Sequence, residues 1–217
     1  MIAEIPLWPI LQKLAEGLLA TFLLSVLAFV LGGAAALLIL FARVGRSRNL
    51  QRLSQGYIQI FQNTPLLMQM FLVFFGASLM GFDISAWNAA AIGLTLYTSA
   101  YLAEVWRGCV QAIPRGQWEA TSSLAMGYVQ QMRHVILPQA MRLSIAPTVG
   151  FSVQIIKGTS VASIIGFTEL TKLGSMLANA TFQPFLIYGL VALAYFALCW
   201  PLSLYASHLE KKLYAAR

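Results

Sequence analysis

Leu18-Leu19-Ala20-Thr21-Phe22-Leu23-Leu24-Ser25-Val26-Leu27-Ala28-Phe29-Val30-Leu31-Gly32-Gly33-Ala34-Ala35-Ala36-Leu37-Leu38-Ile39-Leu40-Phe41-Ala42 is twenty-five residues without a charge. A helix needs about 20 such residues to cross a hydrocarbon core. The stretch decides the fold class, an all-α integral membrane protein. Composition agrees, because 59% of the 217 residues are hydrophobic and only 10% are charged, whereas soluble domains carry about 25% charged residues. Mean hydropathy is +0.74. Gly32 to Ala36 is a run of small residues suited to a close helix contact. Upstream, residues 1–17 set Ile5, Leu7, Trp8, Ile10, Leu11 and Leu14 among polar residues and prolines. They are expected to form a separate amphipathic segment at the membrane surface. Glu4 and Glu16 against Lys13, followed by an apolar run too long for a signal core, give no expectation of a cleaved signal.

Working outward, Arg43, Arg46, Arg48 and Arg52 follow the first span with no acid among them, which places its end in the cytoplasm and the N-terminus outside. The next uncharged run, Leu53 to Phe82, contains Phe61-Gln62-Asn63-Thr64-Pro65-Leu66-Leu67-Met68-Gln69. Polar residues crowded before a proline predict a kink with hydrogen-bonding groups aimed away from lipid. The alternative is a kink that only shapes packing. Further spans are expected at about 57–81, 88–107, 135–156 and 185–206. With 18–42 they make about five transmembrane helices in one domain, 1–217, N-terminus out and C-terminus in. Lys211, Lys212 and Arg217 agree with a cytoplasmic tail.

The main polar interruption is the loop 108–134, kept cytoplasmic by Arg107, Arg115 and Arg133. Glu119-Ala120-Thr121-Ser122-Ser123-Leu124-Ala125-Met126-Gly127 within it predicts a short displayed helix. Glu119 is expected in its first turn to complement the dipole, and Gly127 is expected to end it. Leu124 and Met126 offer apolar contact to something outside the chain. Glu104 and Arg107, three apart on one helix, are expected to pair. Lys157-Gly158-Thr159-Ser160 mixes a cation, hydroxyls and a glycine, which favours irregular backbone lining a cavity. Lys157 either answers a substrate carboxylate or bonds backbone carbonyls.

Enzymatic and nucleic-acid functions find no support. No Gly-x-x-x-x-Gly-Lys-(Ser/Thr) loop for ATP occurs. Nor is there a Ser/His/Asp set, a carboxylate pair or a metal-ligand spacing, with Cys109, Cys199, His134 and His208 all far apart. The net charge of +7 sits in loops between apolar runs, so it reads as topology rather than as a nucleic-acid surface.

Four stretches resemble the permease subunits of bacterial ABC importers, in particular the polar amino acid branch (histidine, glutamine, glutamate, arginine). The first is the Glu-Ala-Ala signature, matched at Glu119, Ala120, Leu137 and Pro138, with Thr121, Ala125 and Val135 standing for Ala, Gly and Ile. The second is Phe61 to Leu67, where Gln62 stands for an Arg. The third is Ala100 to Ala120. A fourth likeness, at Lys157 to Ala162, has Gly158 where an acid is common.

The resemblance implies a chain of the bacterial inner membrane that couples through Glu119, Ala120, Leu124, Ala125, Gly127, Leu137 and Pro138 to a separate ATPase, which holds ATP-Mg. This chain is expected to bind no cofactor and no metal. A second permease copy or a homologous chain, an external solute-binding protein, lipid and an amino acid are the implied partners. Gln62, Asn63, Thr64, Pro65, Glu104, Lys157, Thr159 and Ser160 are the candidate pathway residues. A permease for another small solute and a self-contained secondary carrier remain alternatives.

Overall fold

A computed structural model describes residues 6–45 and 47–215, with the side chains of Tyr214 and Ala215 excepted. Met1 to Ile5 of the expected surface segment, Arg46 of the basic cluster and Arg217 of the tail lie outside the described residues. Those described form helices and their connections, with no strand among them.

The first helix, α1 (Leu7–Val44), overturns the division expected near Gly17, because it runs unbroken for 38 residues. Its prolines explain why. Pro6 caps the helix and Pro9 falls in its first turn, where backbone N–H groups have no intrahelical acceptor and proline therefore removes nothing. One stripe, from Ile10, Leu14, Gly17 and Thr21 through Leu24 and Ala28 to Gly32, Ala36 and Leu40, is buried, and the other faces present Leu19, Phe22, Val30 and Leu38 outward. The small-residue run makes its contact through Gly32, where a Cβ would lie 2.6 Å from the Thr98 Cβ. Only glycine fits that approach of α1 to its partner helix.

The second expected span is two helices, α2 (Arg48–Asn63) and α3 (Leu66–Leu79), which meet at 101° across Thr64 and Pro65. Proline denies the helix one donor and its ring clashes with the preceding turn, so a break was legible; a right angle was not. Next, α4 (Ala86–Gln111) starts at Ser85, whose hydroxyl accepts the Asn88 N–H at 3.2 Å. It packs along α1 and closes a core of Leu24, Ala28, Met70, Ala90, Leu94 and Ile155.

Between α4 and the next long helix lie α5 (Arg115–Ser123), α6 (Tyr128–Gln131) and a π-helical turn over Met132–Ile136. Then α7 (Leu137–Gly158) tightens into a 3-10 turn at Thr159–Ser163. The chain finishes with α8 (Leu170–Thr181) and α9 (Pro184–Ala215). The start of α1 packs against these last two through Ile10, Leu14, Leu170, Ala178, Ile187 and Val191, so the N-terminal turns belong to the helix bundle. By length and apolarity α1 and α9 each suffice to cross a membrane, and the bent α2–α3 pair does so if counted as one crossing.

Candidate functional site

The loop joining α4 to α7 is held at its base and open at its tip. Val110, Ile113, Met132, Ile136 and Ala140 form a buried cluster that anchors both ends. Tyr128 donates its hydroxyl to the Val44 carbonyl, fastening α6 to the end of α1. Gln131 donates to the Ser122 hydroxyl (3.1 Å) and the Met126 carbonyl (2.9 Å), fastening α6 to α5. From this clamped base, Glu119, Ala120, Leu124 and Val129 are exposed, Leu124 at 74% and Val129 at 75%. Thr121 faces inward, and its hydroxyl bonds the Trp118 carbonyl at 2.9 Å.

Two expectations about this loop are corrected. Pro114 caps α5, so Arg115 to Trp118 fill the first turn and Glu119 sits a turn later, clear of the positive end of the dipole. Nor does Gly127 end the helix. The Ala125 N–H bonds the Ser122 carbonyl (3.0 Å) and the Met126 N–H bonds the Thr121 carbonyl (3.2 Å), the paired bonds of a Schellman cap. Ala125 supplies its left-handed residue, with φ of 56°. Gly127 instead caps α6, its N–H bonded to the Gln130 amide oxygen at 3.0 Å.

Leu137 and Pro138 lie where the loop enters α7. Leu137 donates its N–H to the Met132 carbonyl, five residues back. The next residue has no N–H, and a regular turn would press its ring onto the His134 carbonyl. A widened turn relieves that contact.

The candidate pathway residues fall into two groups. At the break, Asn63, Thr64 and Pro65 are exposed and Gln62 is half-buried. Gln69, one turn into α3, closes the break: its Nε2 donates to the carbonyls of Phe61 (2.8 Å) and Thr64 (2.9 Å) and to the Thr64 hydroxyl (2.9 Å). Sequence reasoning quoted Gln69 without giving it this role, although an amide inside an apolar helix just after a proline was the signal. Leu66 connects the break to the end of α7, because a Cβ on Gly158 would lie 3.3 Å from its Cδ2. The space beside Gly158 is filled by Leu66 and Leu94.

Lys157 is exposed there, while the hydroxyls of Thr159 and Ser160 turn back onto the carbonyls of Ile156 and Lys157, each at 2.7 Å. Glu104 stands apart from both stretches and forms a two-bond ion pair with Arg107, including Nε to Oε2 at 2.8 Å. A cavity of about 650 Å³ lies between α4, α7 and α9 near Gly108, Cys109, Pro147, Gly150, Ser207 and Glu210, and no candidate pathway residue lines it.

Glu169, a polar residue to which the sequence assigned no role, is fully buried. It caps α8, accepting the N–H groups of Thr171 (2.9 Å) and Lys172 (2.8 Å), and it also accepts the hydroxyls of Tyr195 (2.8 Å) and Thr21 (3.3 Å). Helix N-terminus and hydroxyls together compensate the carboxylate.

Compared with known families, residues 37–214 match the one described as "Binding-protein-dependent transport system inner membrane component". The chain belongs to that family. It is a permease subunit, not an ATPase.

The permease is 34% identical over 91% of its length to the "Probable amino-acid ABC transporter permease protein YckA" of Bacillus subtilis (strain 168), covering 87% of that protein. It is 33% identical over 95% of its length to the "L-cystine transport system permease protein TcyB" of the same organism, again covering 87%. Among solved structures, that of "an amino acid ABC transporter with histidines" superposes with a TM-score of 0.89 at 30% identity, covering 93% of the permease and 94% of that chain. The MetNI methionine ABC transporter, at 19% identity and a TM-score of 0.68 over 95% and 96% of the two chains, shares the fold alone.

Proposed function

We propose that this permease carries polar amino acids inward across the bacterial inner membrane as part of an ABC importer. The observation that carries the reading is the loop: a short helix with Glu119, Ala120 and Leu124 exposed, on a base fixed to α1 by Tyr128 and to α7 by Ile136. That the solute is an amino acid is supported by the relatives named for amino acid and cystine transport and by the superposing amino acid ABC transporter. In this reading the chain crosses the membrane five times, through α1, the α2–α3 pair, α4, α7 and α9, with the N-terminus outside and the α4–α7 loop in the cytoplasm. Arg43, Arg48, Arg52, Arg115 and Arg133 support that orientation.

ATP-Mg belongs to a partner ATPase, in whose groove α5 seats. Closure of two ATPase subunits pulls the loop, and because its base is packed to α1 and α7 the pull reaches the membrane helices. Coupling of this kind needs an element with two arrangements that both sites bias. A second permease chain completes the pathway and an external binding protein delivers the solute. Gln62, Asn63 and Lys157 are the groups through which the solute is read; Lys157, exposed at the end of α7, suits its carboxylate.

The test is co-purification from the native membrane, then ATPase activity in lipid with and without each amino acid. The reading predicts a bound ATPase subunit whose turnover rises with one or a few amino acids. A lone chain, or a complex indifferent to every amino acid, would contradict it.

A further inference from the structure

Helix α2 carries a face that nothing in the protomer uses. Arg48, Arg52, Gln55, Gln59, Gln62 and Asn63 recur at spacings of four, three, four, three and one, so they share one side of the helix. All are exposed except Gln62, which is half-buried. The four carboxamides make no side-chain hydrogen bond with any described residue. The neighbouring face presents Leu53 (70% exposed) and Ile60 (61%), while Ser54 and Ile58 pack inward.

Depth makes this face informative. Tyr57 bonds the Ser99 hydroxyl at 2.6 Å and the Leu96 carbonyl at 3.3 Å, and Ser99 is near the middle of α4. Ile58 packs with Ala36, Leu102 and Ala103, well inside the ends of α1 and α4. So α2 does not lie flat along a surface. It climbs from the basic end of α1 to the middle of the bundle and stops at the Thr64–Pro65 break. Unsatisfied carboxamides at that depth are expensive against hydrocarbon and belong on water. Leu53 and Ile60, one face over, suit lipid.

We infer that the Arg48–Arg52–Gln55–Gln59–Asn63 face of α2 is one wall of the water-filled conduit between the break and the cytosol, with Gln55 and Gln59 as its solute-contacting rungs. The protomer leaves this wall open, so its opposite wall comes from the second permease chain. The face holds no carboxylate, and its mouth has the guanidinium groups of Arg48 and Arg52, which fits passage of a polar solute bearing a carboxylate. The inference rests on the transport reading for what passes, but not for the accessibility it predicts.

The experiment is thiol labelling of the assembled transporter in lipid, with Cys109→Ser and Cys199→Ala as background. Single substitutions Gln55→Cys, Gln59→Cys and Asn63→Cys are compared with Leu53→Cys and Ile60→Cys, using a charged methanethiosulfonate. Only thiolate reacts and lipid keeps a thiol protonated, so the first three are expected to label at least about tenfold faster. Equal rates in the two sets would overturn the inference, whether or not the complex transports. Gln59→Leu is expected to cut amino acid uptake at least tenfold and Gln59→Asn to restore most of it; unchanged uptake in Gln59→Leu would overturn the role of Gln59 as a rung. The labelling contrast in a complex that moves no amino acid would instead leave the wall standing and overturn the transport reading.

Discussion

Glu169 and the carboxamides of α2 are polar groups in a mostly apolar bundle, handled in opposite ways. Glu169 is sealed in with four donors aimed at it. Gln55, Gln59 and Asn63 are exposed with no partner among the described residues. The contrast separates roles: a closed polar group holds helices together, and an open one waits for something the protomer does not contain. The same division applies to the loop, whose Gln131 is spent on internal bonds and whose Leu124 is not.

The closed side should break most severely. Glu169→Ala removes the cap of α8, leaves the Thr21 hydroxyl without its acceptor and leaves the Tyr195 hydroxyl with Thr171 alone, a loss of about 3 kcal/mol from the cap and the buried donors together. Thermal unfolding of the purified complex should show it as a fall of several degrees; an unchanged midpoint would mean that water already serves those donors. Gln69→Leu should cost less, about 2 kcal/mol, because it leaves two carbonyls and a hydroxyl without their shared donor at the break. Gln69→Asn, one methylene shorter, should rescue little.

The smallest effect has the opposite sign. Among the described residues, three turns end in the same paired-bond cap, at Gly81, Gly166 and Ala125, with φ of 84°, 91° and 56°. Two use glycine, which occupies that region without penalty, while alanine there is strained by about 1 kcal/mol. Ala125→Gly should therefore firm the end of α5 by a few tenths to about 1 kcal/mol, seen as slower amide exchange over Thr121 to Met126. Faster exchange would show that the cap is not strained.

Much of this could be read from the residues. The uncharged run Leu18 to Ala42, the Thr64–Pro65 break, the Glu104–Arg107 pair and the displayed loop all have local causes within a few residues. The misreadings had non-local or positional causes. Pro6 and Pro9 looked like helix breakers, but a proline in the first turn removes no bond, so α1 began at Leu7 rather than at Leu18. Gly127 looked like a terminator because glycine favours left-handed backbone, yet the bonds place that geometry two residues earlier, on Ala125. Glu169 drew no role from the sequence because its compensating partners come from α1 and α9, nearly 150 residues before it and 26 after. No local pattern announces such a pocket.

The central claim is that the tip of the α4–α7 loop is the mechanical joint to the ATPase, and Leu124→Asp tests it most directly. Leu124 is 74% exposed, so the substitution should leave the permease folded with an unchanged thermal midpoint. The account predicts that ATPase recovery on co-purification, or amino-acid-stimulated turnover in lipid, falls at least about tenfold, as loss of an apolar anchor at a protein interface would produce. Full recovery of the ATPase with normal stimulation would contradict it.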